Sequence, residues 1–342
     1  MLVAMQNLDL PQPYLVYVGD IADPVYAKTA FGIRDWARDK CVGEFGRDGA
    51  LRLGMSRLAP AEARARGAKS VVIGVAPIGG AIAPNWIPDL EECLAAGLDI
   101  VSGMHRPLSE IVALRDVAEA HGRRLIDVRR PPKNLPIATG RKRQGKRLLT
   151  VGSDCALGKK YTALVLAREF VARGLAADFR ATGQTGIMIA GAGIPIDAVV
   201  SDFVAGAAEV LTPDADPGHW DVIEGQGSLV HPAYAGVSLG LLHGSQPDVL
   251  VFCHKVGRTR VYGLTTEFPI PPLREIIDLN LALARRTNPN VRCAGVSLNT
   301  SELNDVDAEN ALREAETHLA MPCADPLRSG RRLNMLVQAC LD

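Results

Sequence analysis

The residues best suited to chemistry form one loop: Gly152, Ser153, Asp154, Cys155, Ala156, Leu157, Gly158, Lys159 and Lys160. The apolar run Leu148 to Val151 before it predicts a short buried strand, and Tyr161 to Arg173 after it predicts a helix. A glycine-rich turn between strand and helix that ends in Gly-Lys is the layout of a phosphate cradle. Backbone N–H groups and the helix N-terminus would hold an anion, and Lys159 would add a point charge. Two departures from the common pattern define the expected ligand. Five residues rather than four separate Gly152 from Gly158, and the hydroxyl that usually binds Mg²⁺ after the lysine is replaced by Lys160. Thr162 does not restore it, because two residues along a helix is about 200° of rotation. The loop therefore reads as built for a polyphosphate held without a metal from this position. That favours a phosphorylated carrier such as coenzyme A over ordinary ATP hydrolysis.

Further candidates lie downstream. Asp221 to Glu224 predicts a strand ending in an acid, followed by Gly225, Gln226, Gly227 and Ser228. With the metal-binding hydroxyl missing, Glu224 is free for another duty such as general base. His231 follows within seven residues, either as a structural hydrogen-bonder or as a functional group. Thr182, Gly183, Gln184, Thr185 and Gly186 follow the strand after the loop helix. They read either as a tight turn or as a close backbone approach to a ligand with polar donors. Asp202 is either a helix N-cap or a partner for an amine. Cys253-His254-Lys255 and Asn299 end strands at the edge where parallel sheets bind ligands. Cys155 reads as a small loop-filling residue; a helix N-terminus and two lysines would otherwise lower its pKa.

The elements that position these residues alternate in type. Strands are predicted at Tyr14 to Val18, Val71 to Val75, Asp99 to Val101 and Arg124 to Val128. Helices are predicted over Asp89 to Ala96 and Leu108 to His121. This order is α/β and Rossmann-like, but it carries no complete dinucleotide fingerprint. Strands are predicted again near Ala177–Arg180, Asp221–Glu224, Val249–Cys253 and Val291–Leu298. The expected organisation is an N-terminal Rossmann-like parallel-sheet domain over residues 1–135, a linker over 136–147, and a P-loop NTPase-like α/β domain over 148–342. The linker character begins upstream, over Arg129 to Arg147, where Pro131, Pro132 and Pro136 fall. Its basic run, Arg141 to Arg147, reads as solvated or as a contact for an anionic ligand tail.

Composition narrows the function classes. The 342 residues hold 38 basic and 38 acidic side chains, so no global field favours nucleic acid or membrane. The apolar fraction of 47% supports full cores, and with 5% aromatics these must rest on aliphatic residues. The uncharged stretch Gly225 to Pro247 is too rich in Gly, Pro, His and Ser to cross a bilayer. Seven scattered cysteines fit reduced thiols in a cytoplasm, and Met1 to Leu10 lacks the character of a signal peptide.

The second half resembles dethiobiotin synthetase and its relatives. Those proteins share a G-[ST]-D-x-x-x-G-K loop, here Gly152 to Lys159, and a strand ending E-G-x-G, here Glu224 to Gly227. Ala294 to Asn299 and Met321 to Pro326 resemble their later nucleotide-site segments. Nearly the whole chain resembles a bacterial family long labelled as of unknown function, the D-glutamate N-acetyltransferase family. The resemblance is carried by Gly152 to Lys160, Thr182 to Gly186, Asp202 to Glu209, Glu224 to Ala233, Gly74 to Gly80 and Ser102 to His105. It implies acetyl transfer from acetyl-CoA to the amino group of a D-amino acid, D-glutamate above all, in D-amino acid catabolism. No metal is expected, and the only partners expected are small molecules and further copies of the chain. On that reading Gly152 to Lys160 hold the coenzyme A phosphates, and Glu224 or His231 is the base. Gln184 and the backbone of Gly225 to Gly227 serve the oxyanion and orientation. Thr182, Thr185, Gln226, Asp202, His105 and Arg106 are expected on the substrate side, with His105 and Arg106 reaching a carboxylate from the first domain. The competing expectations are an ATP-dependent ligase or kinase of the dethiobiotin synthetase type, a ligand-sensing protein without turnover, and a dehydrogenase.

Overall fold

Short apolar runs separated by longer periodic segments fold here as parallel strands with crossover helices, because a parallel neighbour can be reached only through a long connection. The computed structural model describes residues 10–76, 79–264 and 266–342. Pro77 and Ile78 of the Gly74 to Gly80 segment lie outside the described residues, as do the first nine residues of the expected leaderless terminus. The chain divides into two units. One takes the residues through Pro131 together with Gly183–Pro195; the other takes Pro132–Thr182 and Ile196–Asp342.

The first unit runs β1 (Tyr14–Gly19), α1 (Lys28–Trp36), β2 (Cys41–Gly46), α2 (Pro60–Ala65), β3 (Ser70–Ile73), α3 (Ile87–Ala95), β4 (Asp99–Ser102), α4 (Val112–Ala120) and β5 (Leu125–Asp127). Its sheet has the order β2-β1-β3-β4-β5, with every pairing parallel. All six residues of β1 are buried, as expected for a central strand covered on both faces. The predicted helix from Leu108 to His121 is instead a 3-10 turn at Leu108–Glu110 followed by α4, because Ile111 adopts an extended conformation between them. The strand β2 escapes the sequence pattern. It carries two glycines and a buried Glu44, whose Oε2 accepts from the Leu53 and Met55 N–H groups.

The second unit contains β6 (Lys146–Gly152), α5 (Lys159–Ala172) and β7 (Ala177–Arg180). After α6 (Gln184–Ala190), which belongs to the first unit, come α7 (Val204–Leu211), β8 (Trp220–Ile223), α8 (Ala235–Ser245), β9 (Val249–Lys255), α9 (Leu273–Ala284), β10 (Arg292–Asn299), α10 (Asp305–Leu319), β11 (Cys323–Ala324) and α11 (Arg331–Leu341). The sheet order is β11-β10-β9-β6-β8-β7, again all parallel. The strand β6 therefore lies between β9 and β8, and the ends of all three strands converge at one edge. The family of parallel-sheet α/β folds expected for both halves is what the chain adopts.

The basic run Arg141 to Arg147 is only partly solvated: Arg141, Lys142 and Lys146 are exposed, and two of its arginines are not. Arg143 and Arg147 are buried. Arg143 donates to the Thr212 and Gly244 carbonyls, and Arg147 donates to those of Arg143 and Gln144. Burial lowers the Arg143 pKa to about 10. These side chains sit at the amino edge of β6, roughly 20 Å of strand away from the glycine loop. Glu209 fastens the same stretch by accepting from the N–H groups of Thr139 and Gly140. Among the described residues no helix is long and apolar enough to cross a membrane.

Candidate active site

The glycine loop leaves β6 at Gly152 and enters α5 at Lys159. Two of its residues take left-handed backbone conformations, Ala156 at φ +52° and Gly158 at φ +112°. Lys159 is buried, and its Nζ donates to the Asp154 carbonyl at 2.6 Å. Burial pushes the pKa of this ammonium down, while Cys155, Asp154 and Glu224 pull it part of the way back. An anion in the loop would stabilise that charge. Lys160 is half-buried, with its Nζ 5.0 Å from the centroid of the Tyr161 ring. The Thr162 hydroxyl is occupied by the Gly158 carbonyl at 3.1 Å and by Ser297 Oγ at 2.8 Å. Position 162 therefore does not supply the metal-binding hydroxyl that position 160 lacks.

The side chains of the loop are braced from β9 and the segment after it. Ser153 Oγ lies 2.8 Å from His254 Nδ1. Burial, with Arg258 adding to it, lowers the His254 pKa to about 4, so the ring is neutral at pH 7. The Asp154 carboxylate is fully buried. It accepts from the N–H groups of Cys155 at 2.7 Å and Tyr262 at 2.9 Å, and from Arg258 Nη1 at 3.1 Å. Arg258 also donates to the Cys155 carbonyl at 2.8 Å. Asp154 thus shapes the loop from within, and a carboxylate so engaged would repel a phosphate rather than bind it. Burial pushes the Cys155 thiol pKa up against the pull of Lys159, in keeping with a loop-filling residue. Asn299 donates to the Leu157 carbonyl at 3.2 Å and accepts from the Ser301 N–H, so its amide supports the loop. Sequence reasoning missed Arg258 and Tyr262. No local signal marks them, because their role arises only where the segment after β9 meets the loop.

Beside the loop, β8 delivers Glu224. Gly225 allows the close approach: a Cβ there would stand 1.7 Å from the Thr150 carbonyl oxygen. Its N–H donates to Thr150 Oγ1 at 2.9 Å. Glu224 is 4% exposed. Its Oε2 accepts from the Thr182 N–H at 3.0 Å, and the Gln226 side chain donates to Thr182 Oγ1 at 3.0 Å. His231 is buried, and its Nδ1 accepts from the Ala233 N–H at 3.1 Å. A backbone N–H can only donate, so the neutral ring carries its proton on Nε2. Among the described residues that Nε2 has no hydrogen-bond partner, and it lies 4.0 Å from Asp154 Oδ1. His231 is therefore poised as a donor. It has no free lone pair with which to act as a base.

The remaining expected residues are placed elsewhere. The Thr182 to Gly186 segment is divided: Thr182 stays with the second unit, whereas Gln184 and Thr185 begin α6 in the first. The segment is a helix start, which removes the tight turn, one of its two readings. Thr185 Oγ1 lies 2.8 Å from Thr29 Oγ1. His105 and Arg106 are exposed on the loop after β4, with Arg106 3.8 Å from Glu110. Asp202 is exposed in a 3-10 turn ahead of α7 and caps neither element.

The second unit's phosphate loop falls within residues 136–334, which match a domain of unknown function described as the DUF1611_C P-loop domain. Residues 42–131 match the DUF1611_N Rossmann-like domain. The chain belongs to the DUF1611 family. A DUF1611 protein from Anabaena variabilis of known crystal structure superposes with a TM-score of 0.87 at 33% identity, over 96% of this chain and 99% of that one. Two curated relatives are named D-glutamate N-acetyltransferase. One, from Tritonibacter scottomollicae, is 49% identical over 93% of this chain and 96% of its own length. The other, from a Pseudoalteromonas species, is 45% identical over 94% and 97%.

Proposed function

We propose that this DUF1611 protein is an N-acetyltransferase that moves the acetyl group of acetyl-CoA to the amino group of a D-amino acid, with D-glutamate the first candidate. The observation that carries the reading is a phosphate loop with a buried lysine and a second lysine where a metal-binding hydroxyl would stand, set beside the buried carboxylate of Glu224. The names of the two curated relatives support the same reaction. A thioester is already activated, so no nucleotide need be cleaved and no metal is called for at the loop.

In this reading the loop from Gly152 to Lys160 holds the coenzyme A phosphates through its two lysines and its backbone N–H groups, those of Ser153 and Cys155 excepted because they are already engaged. Glu224 accepts a proton from the acceptor ammonium, freeing the nitrogen lone pair. The nitrogen then attacks the thioester carbonyl carbon. The tetrahedral oxyanion collapses and the C–S bond breaks; the second proton lost by the attacking nitrogen balances the one gained by the thiolate, which leaves as free coenzyme A. The Thr182 N–H keeps Glu224 oriented, and Gln226 fixes Thr182 in turn. The Gly225 N–H is taken by Thr150, so the backbone beyond it and the Nε2–H of His231 would serve the developing negative charge. The seven free cysteines fit the reducing cytoplasm we assign to the protein, where it would work on small molecules in D-amino acid catabolism as a homo-oligomer.

The test is thiol release from acetyl-CoA with D-glutamate in the absence of ATP and Mg²⁺, with L-glutamate in parallel. Release that depends on D-glutamate is expected. Absence of release with any amine, together with Mg²⁺-dependent ADP formation from ATP, would replace this reading with the ligase one.

A further inference from the structure

The strand order of the first unit reverses between β1 and β3, where sheets of this order open a crevice for a nucleotide. Here an indole fills that place. Trp86 is 1% exposed and stacks edge-on to Tyr17, and its Nε1 donates to Asp20 Oδ1 at 2.7 Å. It presses so closely on Gly19, the last residue of β1, that a Cβ there would lie 2.7 Å from the ring. The open space lies one strand further on, beyond the ends of β3 and β4. It is a cavity of about 250 Å³, lined by Gly79, Gly80, Gly103, Met104, His105 and Gln184.

The cavity is shaped by missing side chains. A Cβ on Gly80 would stand 2.4 Å from the His105 imidazole, and one on Gly103 would stand 2.1 Å from Gln184 Oε1 and 2.9 Å from Gln184 Cβ. The imidazole and the amide therefore rest directly on glycine backbone, and α6 is the element that brings Gln184 there. The polar groups at the wall are an imidazole, a carboxamide and main-chain amides. Among the described residues no acidic side chain lines it. Arg106 adjoins His105 and has an exposed contact to Glu110 at 3.8 Å, an arrangement that costs little to break. The volume falls below the usual range for drug-sized or nucleotide ligands, which begins at about 300 Å³.

We infer that this cavity is a receptor for a small carboxylate, with Gln184 and His105 as its hydrogen-bonding groups and Arg106 as its charge. Its identification with the carboxylate end of the acceptor amino acid rests on the acetyltransferase reading. The inference moves Gln184 from oxyanion stabilisation to acceptor recognition. Calorimetric titration of the full chain with D-glutamate and with glutarate, which has two carboxylates and no amine, tests it. Each titration is done with and without coenzyme A, on the wild type and on Gln184→Ala and Gly103→Ala. Binding of glutarate to the wild type is expected, weakened about tenfold or more in Gln184→Ala, as for loss of one hydrogen bond to a charged group. Gly103→Ala should match it by displacing the same amide. In turnover the D-glutamate KM should rise while the acetyl-CoA KM stays put. Equal affinity in wild type and Gln184→Ala, or no carboxylate binding to the wild type under either condition, overturns the proposal. Carboxylate binding that depends on Gln184, without thiol release by the wild type, would keep the receptor and remove the acetyltransferase.

Discussion

Glu224 and Thr182 are bound reciprocally: the Thr182 N–H donates to the Glu224 carboxylate at 3.0 Å, and the Thr182 hydroxyl donates to the Glu224 carbonyl at 2.6 Å. The pair joins the second residue after β7 to the first after β8, and so fixes the Glu224 carboxylate. Glu224→Gln keeps an acceptor for the Thr182 N–H and removes the basic oxygen. Its kcat should fall by about 10²- to 10⁴-fold with the fold intact. In His231→Asn an amide oxygen can still accept from the Ala233 N–H, and the variant should show the same ionisation in its pH–kcat profile as the wild type. Measured profiles in which His231→Asn rather than Glu224→Gln abolishes that ionisation would reverse the assignment of the base.

If the proposed coenzyme A cradle is right, Lys159→Ala should raise the acetyl-CoA KM by more than about tenfold, because the variant loses the buried charge assigned to the phosphates. The KM for the amino acid should move little. Steady-state kinetics with each substrate varied in turn will show it, and an unchanged acetyl-CoA KM would remove the loop from coenzyme A binding.

Arg258→Ala strands the Asp154 carboxylate, which is fully buried, with only its two N–H donors. Breaking a buried pair from one side costs about 3 kcal/mol. Urea unfolding should register a loss of that size, and Asp154→Asn in the Arg258→Ala background should recover part of it. A variant as stable as the wild type would show that Arg258 does not brace the loop.

His254 makes stability depend on pH in a definite direction. The folded-state pKa of about 4 lies below the ordinary 6.5, so between these values the unfolded chain binds more protons than the folded one. The contribution is fully present above pH 6.5 and is lost as pH falls toward 4. It amounts to about 3 kcal/mol. His254→Gln should flatten this part of the stability profile relative to the wild type. Parallel profiles for the two proteins between pH 7 and 4.5 would refute the depressed ionisation.

The sequence alone was enough to place the phosphate loop, the alternating strands around it and Glu224 at a strand end. Each of these depends on neighbours in the chain: glycines that permit positive φ, an apolar run of strand length, and an acid directly after it. Residues whose partners are distant in sequence were not legible in this way. Arg258 reaches Asp154 across 104 positions because β9 lies next to β6 in the sheet. Arg143 and Arg147 look solvated in a basic run, yet they are buried under the carbonyls of Gln144, Thr212 and Gly244. Gln184 follows Thr182 by two residues, yet it enters a helix of the other unit. Local periodicity records which face of an element is buried. Which element it is buried against follows from strand order and crossover, and these are settled only when the whole chain packs.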